Sequence, residues 1–148
     1  EDRKDHLKRA RQIIGERASP KAGMVNYLDL AISLIRVRGG EFASGEFGVL
    51  TDLYFPAVDP LRDGHGELAP LGLLVMAECQ RLGVPCVIVT AGYHHGPKYH
   101  QIHSALMSMG WPRLVDSSRS EDEEESEEKN WEQGLRDLEE LAAKVGAG

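Results

Sequence analysis

Phe47-Gly-Val-Leu-Thr-Asp-Leu-Tyr54 is apolar at both odd and even positions. A strand wetted on one side alternates polar and apolar residues. A strand covered on both sides reads as one apolar run. Residues 47–54 therefore predict a buried strand of a parallel sheet. Val84-Pro-Cys-Val-Ile-Val-Thr90 is a second run of the same kind. Between them, residues 71–82 predict a helix that is apolar nearly all round, and Gly83 ends it.

Working outward, Leu7, Ala10, Ile13 and Ile14 keep helical spacing among Lys and Arg, which predicts an amphipathic helix over 3–16. Ser19-Pro20 and Gly23 mark a loop, and Met24 to Tyr27 suits a short strand. Residues 28–38 read as a helix with Leu30, Leu34 and Val37 on one side, stopped by Gly39-Gly40. Pro97 suits a helix start, and Ile102, Leu106 and Met109 would form that helix's core stripe. Trp111 to Val115 suits a short edge strand. Asn130 suits an N-cap, with Gln133 three residues on, and Trp131, Leu135, Leu138 and Ala142 would be the buried stripe of a last helix. Helices alternating with apolar strands predict an α/β fold with a parallel sheet covered on both faces. No repeat or linker divides the chain, so residues 1–148 read as one domain. It carries an extended loop over 56–70 and an acidic loop over 119–129.

Composition excludes several classes. The net charge is −7, from 24 acidic and 17 basic residues. Seven of the acids lie in the run Glu121 to Glu128, so the remainder is balanced at 17 against 17. That argues against a nucleic-acid binder working through a broad basic face. The acidic run reads first as a solvated segment rather than a docking tail. No apolar stretch approaches the ~20 residues of a membrane span. Cys79 and Cys86 sit inside apolar runs and read as buried thiols of a reducing compartment, which makes the cytoplasm the expected location.

In open α/β sheets, ligands meet the carboxyl ends of the strands. Asp52 falls near the end of the first apolar run and Thr90 at the end of the second. Glu1-Asp2 lie just before the first helix. Clustered carboxylates favour a hard divalent cation such as Mg²⁺. A carboxylate can also attack a phosphoryl group and become an aspartyl phosphate, while a nearby hydroxyl holds a phosphoryl oxygen. Taken singly, each residue has a plainer reading: Asp52 as a structural carboxylate, Thr90 as a turn cap, and Glu1-Asp2 as acids favoured at a helix N-terminus.

The combination resembles the receiver domains of response regulators. Asp52-Leu-Tyr-Phe-Pro56 is similar to the phosphoacceptor strand and loop of that family, with Phe55 where Met is common. Gly72 followed by Leu-Leu-Val-Met resembles the opening of the next helix, and the second run ends in Thr90-Ala91 as the fourth strand of the family does. Glu1-Asp2 resembles the acidic pair that closes the first strand. The resemblance covers most of residues 1–110. It implies a flavodoxin-like, doubly wound parallel sheet whose first strand lies upstream of Glu1. It also implies phosphorylation of Asp52, with Thr90 as the switch hydroxyl. Mg²⁺ would be held by Glu1, Asp2, Asp52 and the Tyr54 carbonyl. The implied partners are a histidine kinase or a downstream effector protein of bacterial two-component signalling.

Three features depart from the family. The 56–70 loop is long. The family expects a Lys soon after the last strand, but none appears until Lys129, so Lys98 is the substitute available from the preceding loop. The aromatic switch residue has no clear counterpart. A second resemblance is to haloacid-dehalogenase hydrolases, which also use a nucleophilic Asp and a later Thr or Ser. Their second Asp would fall at position 54, which is Tyr54.

Histidines are dense after Thr90, at His94, His95, His100 and His103, with His65 in the earlier loop. On a helix His100 and His103 are neighbours. A transition-metal site is one reading of this cluster, and a polar rim loop is the other. Next to the acidic rim, protonated His or Lys98 would also make the site sensitive to pH.

Overall fold

The computed structural model describes residues 8, 12, 25, 28–42, 48–57, 68–90, 97–109, 114–116 and 130–146. Seven elements follow one another: α1 (Leu28–Phe42), β1 (Val49–Asp52), α2 (Gly72–Leu82), β2 (Cys86–Thr90), α3 (Pro97–Ser108), β3 (Leu114–Asp116) and α4 (Trp131–Gly146). The three strands form one sheet in the order β1-β2-β3, and both pairings are parallel. Val49 pairs with Cys86 and Asp52 with Val89 across the first pair; Ile88 pairs with Leu114 and Thr90 with Asp116 across the second.

β2 lies between the other two strands and is buried along its whole length. Its side chains alternate between two cores. Cys86 and Ile88 pack with Ile35 of α1, Val75, Met76 and Cys79 of α2, and Tyr99 of α3. Val87 and Val89 pack with Trp131 and Leu138 of α4. Helices therefore cover both faces of the sheet. This is why Cys86 to Val89 can be apolar without interruption: each residue faces one helical layer or the other.

Local chemistry sets the helix ends. Asn130 Oδ1 accepts the Gln133 N–H at 3.0 Å, so the expected N-cap of α4 forms. The Gln133 side chain does not return the bond. It donates to Asp137 Oδ1 at 2.8 Å, one turn further along. Gly83 closes α2 at φ 70°, and its N–H meets the carbonyls of Cys79 and Gln80. The Val84 N–H then reaches the Cys79 carbonyl at 2.8 Å, which turns the chain directly into β2.

Three expectations are corrected. α1 does not stop at Gly39-Gly40 but runs on to Phe42. Glycine lowers helix propensity without forbidding the helix, and it marks a stop most clearly where it takes the left-handed conformation. Among the described residues only Gly83 is a positive-φ glycine. Second, Met109 is 65% exposed and lies outside the core, whereas Leu106 is buried. Third, the apolar α2 is buried on one side only: Gly72, Val75, Met76 and Cys79 are buried and the apolar Leu74 is exposed. Of the predicted helix over 3–16, only Lys8 and Gln12 are described, and both are helical and exposed. Of the predicted strand at Met24 to Tyr27, only Val25 is described, and it belongs to no strand. The acidic loop over 119–129 lies outside the described residues. No described helix is long and apolar enough to cross a membrane.

α1 and α2 are also joined by charge. Glu78 Oε1 accepts from Arg36 Nε at 2.7 Å and from Arg81 Nη2 at 2.8 Å, and Glu78 Oε2 accepts from Arg81 Nε at 3.0 Å. The hydrogen bonds from Arg81, then the one from Arg36, hold the Glu78 carboxyl at about 2, against 4.5 unperturbed. The folded protein thus prefers the ionised form more than the unfolded chain does. That preference stabilises the fold fully above pH 4.5 and is lost as pH falls towards 2. Urea titrations across this window should show wild type losing more stability on acidification than Glu78→Gln. Parallel curves for the two proteins would count against the ion pairs as the cause.

Candidate functional site

The carboxyl ends of the strands bring three chemistry-bearing residues into one row. β1 ends at Asp52, β2 at Thr90 and β3 at Asp116. Register fixes their order: Asp52 lies opposite Val89, one position short of Thr90, and Thr90 lies opposite Asp116. The three adjacent strand ends thus carry a carboxylate residue, a hydroxyl and a second carboxylate residue. Asp52 is partly exposed, so its carboxylate can meet solvent. Thr90 is only 1% exposed and sits inside the fold. By the alternation of the strands, Asp52 belongs with Leu50 and Val89 on the α4 side of the sheet. Thr90 belongs with Cys86 and Ile88 on the α2–α3 side.

The backbone around Asp52 is held from several directions. The Thr51 hydroxyl donates to the Asp52 carbonyl at 3.0 Å. The Tyr54 N–H points to Asp52 Oδ1 at 3.4 Å, a long contact that turns the carboxylate towards the chain leaving the strand. The Gly72 N–H donates to the Leu53 carbonyl at 3.0 Å. A Cβ on Gly72 would lie 2.3 Å from the Asp52 carbonyl oxygen. The start of α2 therefore rests directly on the backbone of the candidate residue, and only glycine permits that approach.

The long loop begins and ends beside this point. Phe55 and Ala69 form an antiparallel bridge, with N–H to carbonyl bonds of 3.2 and 3.4 Å. The Leu28 N–H donates to the Pro56 carbonyl at 3.3 Å, which ties the start of α1 to the same place. Whatever the loop between Phe55 and Ala69 contacts, its feet stand close to Asp52 in the chain and next to α2. Burial pushes the Tyr54 hydroxyl above its ordinary titration range.

Among the other expected site residues, His100 and His103 lie on α3 beside the buried Tyr99 ring. Their ring centroids are 5.8 and 6.0 Å from its own. His100 is exposed and His103 half-buried. Lys98 lies in the first turn of α3. Glu1, Asp2, His65, His94 and His95 lie outside the described residues. Among the described residues no three His, Cys, Asp or Glu side chains converge on a point that could hold a metal ion. The donors present near the strand end are the Asp52 carboxylate and the Tyr54 carbonyl. Both are hard oxygens of the kind Mg²⁺ accepts.

Asp116 was not singled out by sequence reasoning. The signal was there: Leu114-Val-Asp116 repeats the ending of Val49-Leu-Thr-Asp52, an apolar strand closed by Asp. Cys79 and Cys86 are buried free thiols, as their apolar context implied. They face each other across the α2–β2 contact, and the hydrogen bond between them, with burial, pushes the Cys86 thiol up. Trp131 serves the core rather than a ligand surface. Compared with protein-family models, with curated proteins and with solved structures, the chain matches none of them.

Proposed function

We propose that the chain is a receiver-like phosphoacceptor module, built on a flavodoxin-like, doubly wound sheet, in which Asp52 takes a phosphoryl group. One observation carries the reading: a partly exposed carboxylate ends β1 beside the strand that ends in the Thr90 hydroxyl, with the first residue of α2 packed on its backbone. Parallel α/β sheets gather their chemistry at this edge.

In the proposed step an Asp52 carboxylate oxygen attacks the phosphorus of an acyl or histidyl phosphate. A new Oδ–P bond forms as the donor's bond to phosphorus breaks, and the leaving group departs with that electron pair. The Asp52 carboxylate and the Tyr54 carbonyl would hold Mg²⁺, with Glu1 and Asp2 completing the set that the receiver resemblance implies. Bound there, the ion would offset the negative charge of the phosphoryl oxygens. The resemblance gives one of those oxygens to the Thr90 hydroxyl, which leaves β2 on the opposite face of the sheet from Asp52 and would have to meet the phosphoryl group around the strand ends. The contacts at Gly72 and Phe55 hold the first residues after Asp52. The partner would be a phosphodonor protein or an effector that reads the modified face. A hydrolase of the haloacid-dehalogenase kind is the second reading. The placement of Asp116 beside Thr90 favours it, because it adds an acidic residue to the rim.

The test is intact-protein mass after incubation with acetyl phosphate and Mg²⁺. The expected result is one added phosphoryl group that is absent in Asp52→Asn and absent without Mg²⁺. Rapid release of phosphate from acetyl phosphate, dependent on Asp52 but without a lasting adduct, would move the assignment to the hydrolase. Neither adduct nor turnover in a folded protein would overturn both.

A further inference from the structure

The chain holds two cysteines, and the fold sets them against each other. Cys79 is on the buried face of α2, and Cys86 is the first residue of β2. Both belong to the core cluster that includes Ile35, Val75, Met76 and Ile88. A hydrogen bond joins the two side chains. The backbone between them builds this contact. The Cys79 carbonyl accepts the Gly83 N–H, and also the Val84 N–H at 2.8 Å. Gly83, at φ 70°, reverses the chain there, so Cys86 returns alongside α2 two residues past Val84. The Val49 N–H donates to the Pro85 carbonyl at 2.8 Å, which fixes the start of β2.

Plain packing asks only for a small apolar residue at each position. Two thiols in contact add chemistry, because sulfurs that share a hydrogen bond need little more than side-chain rotation to reach bonding distance. We propose that Cys79 and Cys86 are a modification site: they form a reversible disulfide that clamps the end of α2 to the start of β2 when the surrounding small thiols become oxidised. Cys86 starts β2, at the opposite end of that strand from Thr90, and pairs with Val49 at the opposite end of β1 from Asp52. The clamp therefore stands whether or not Asp52 accepts phosphate.

The order of events follows from burial. Cys79 and Cys86 are 0% and 5% exposed, so an oxidant does not reach them in the closed fold. The bond to Cys79, and then burial, push the Cys86 thiol up, which also keeps it unreactive there. Access comes through the last turn of α2. Gln80, Arg81 and Gly83 are exposed, and helix ends open more readily than core strands. Opening this turn frees Cys79 while Cys86 stays paired in the sheet. The Cys79 thiolate attacks oxidised glutathione. A bond forms between Cys79 and one glutathione sulfur, the oxidant's S–S bond breaks, and the other glutathione leaves as thiolate and takes a proton from water. Reclosure returns the adduct to Cys86. Its thiol gives up a proton and attacks the Cys79 sulfur, and the second glutathione leaves with the electron pair and takes up that proton. Two protein thiols are oxidised, and one small disulfide is reduced to two thiols.

Intact mass of the full chain tests this, after incubation with oxidised glutathione and denaturation in N-ethylmaleimide. The expected result is the loss of two hydrogens, with neither glutathione nor maleimide attached, and full reversal by dithiothreitol. The linked protein should keep its near-UV circular dichroism and unfold at a higher urea concentration, since a bond that suits the native geometry constrains the unfolded chain. Cys86→Ala should stop at one glutathione adduct, because the thiol that expels it is gone. Three results would each overturn the proposal. One is a folded protein whose thiols stay unmodified while the same thiols react in urea, which would leave the pair as core packing. Another is a wild-type glutathione adduct that never resolves. The last is a linked protein with a lowered urea midpoint, the mark of a cross-link the fold does not accommodate.

Discussion

Gly72→Ala should destabilise the protein by about 2–3 kcal/mol, the upper part of the range for forcing extra atoms into a packed site. The added Cβ would fall 2.3 Å from the Asp52 carbonyl oxygen and 2.9 Å from the Leu53 Cα. Both are backbone atoms, so no side chain can rotate aside. The backbone cannot yield easily either. The Asp52 carbonyl accepts from the Thr51 hydroxyl, and the Leu53 carbonyl accepts the Gly72 N–H. Either α2 retreats from the end of β1 or the Asp52 peptide moves. The urea midpoint should fall with an unchanged slope, and the phosphoryl acceptance proposed for Asp52 should fall with it. Gly83→Ala is the control. Its Cβ would meet nothing within 4 Å, but its φ is +70°. It should cost about 1 kcal/mol through backbone strain alone and leave the site intact. Equal effects of the two substitutions would remove the argument that α2 is seated on Asp52.

Ile88→Ala should be larger still, about 3–5 kcal/mol. Ile88 is fully buried in the middle of the central strand. It packs in the cluster that joins α1, α2 and α3 to the sheet. Neighbours on three helices and two flanking strands cannot all close on the vacated volume, so a cavity persists and adds to the lost transfer energy. Met109→Ala tests the opposite case. The sequence places Met109 in a core stripe, yet it is 65% exposed, and its truncation should change stability by less than about 0.5 kcal/mol. Equilibrium urea unfolding of the two variants measures both. A cost at Met109 comparable with that at Ile88 would mean that the end of α3 is packed in solution in a way the structure does not show.

The parts of the fold that were legible are those where one physical rule dominates. Cys86 to Thr90 reads as a two-sided buried strand because no polar residue interrupts Cys86 to Val89. Gly83 reads as a stop because it follows the last apolar residue of α2 and takes the left-handed conformation. Asn130 reads as a cap because its short side chain reaches the N–H three residues on. Where two rules compete, sequence alone does not decide. Residues 28–37 hold two apolar stripes at helical spacing, and periodicity cannot say which faces the sheet. The structure turns Leu28, Ala31, Ile32 and Ile35 inward and leaves Leu30, Leu34 and Val37 outside. The candidate site shows the same limit. Asp52 and Thr90 are visible as strand-end residues, but register is a tertiary property. The row of Asp52, Thr90 and Asp116 emerges only once the strands are aligned. β3 is expected over Trp111 to Val115 and is found at Leu114–Asp116, a shift that places Asp116 at its end.

The bridge between Phe55 and Ala69 has a consequence for how this protein can change over evolutionary time. It fixes both ends of the intervening segment against the sheet and α2. Once the two ends of a chain segment are pinned, its length adds little to the entropy of closing it: each doubling costs only about 0.6 kcal/mol. Insertions and deletions between Phe55 and Ala69 can therefore accumulate with little penalty to the fold. They do so a few residues along the chain from Asp52, while the sheet, its register and the seat of Gly72 on β1 stay under constraint.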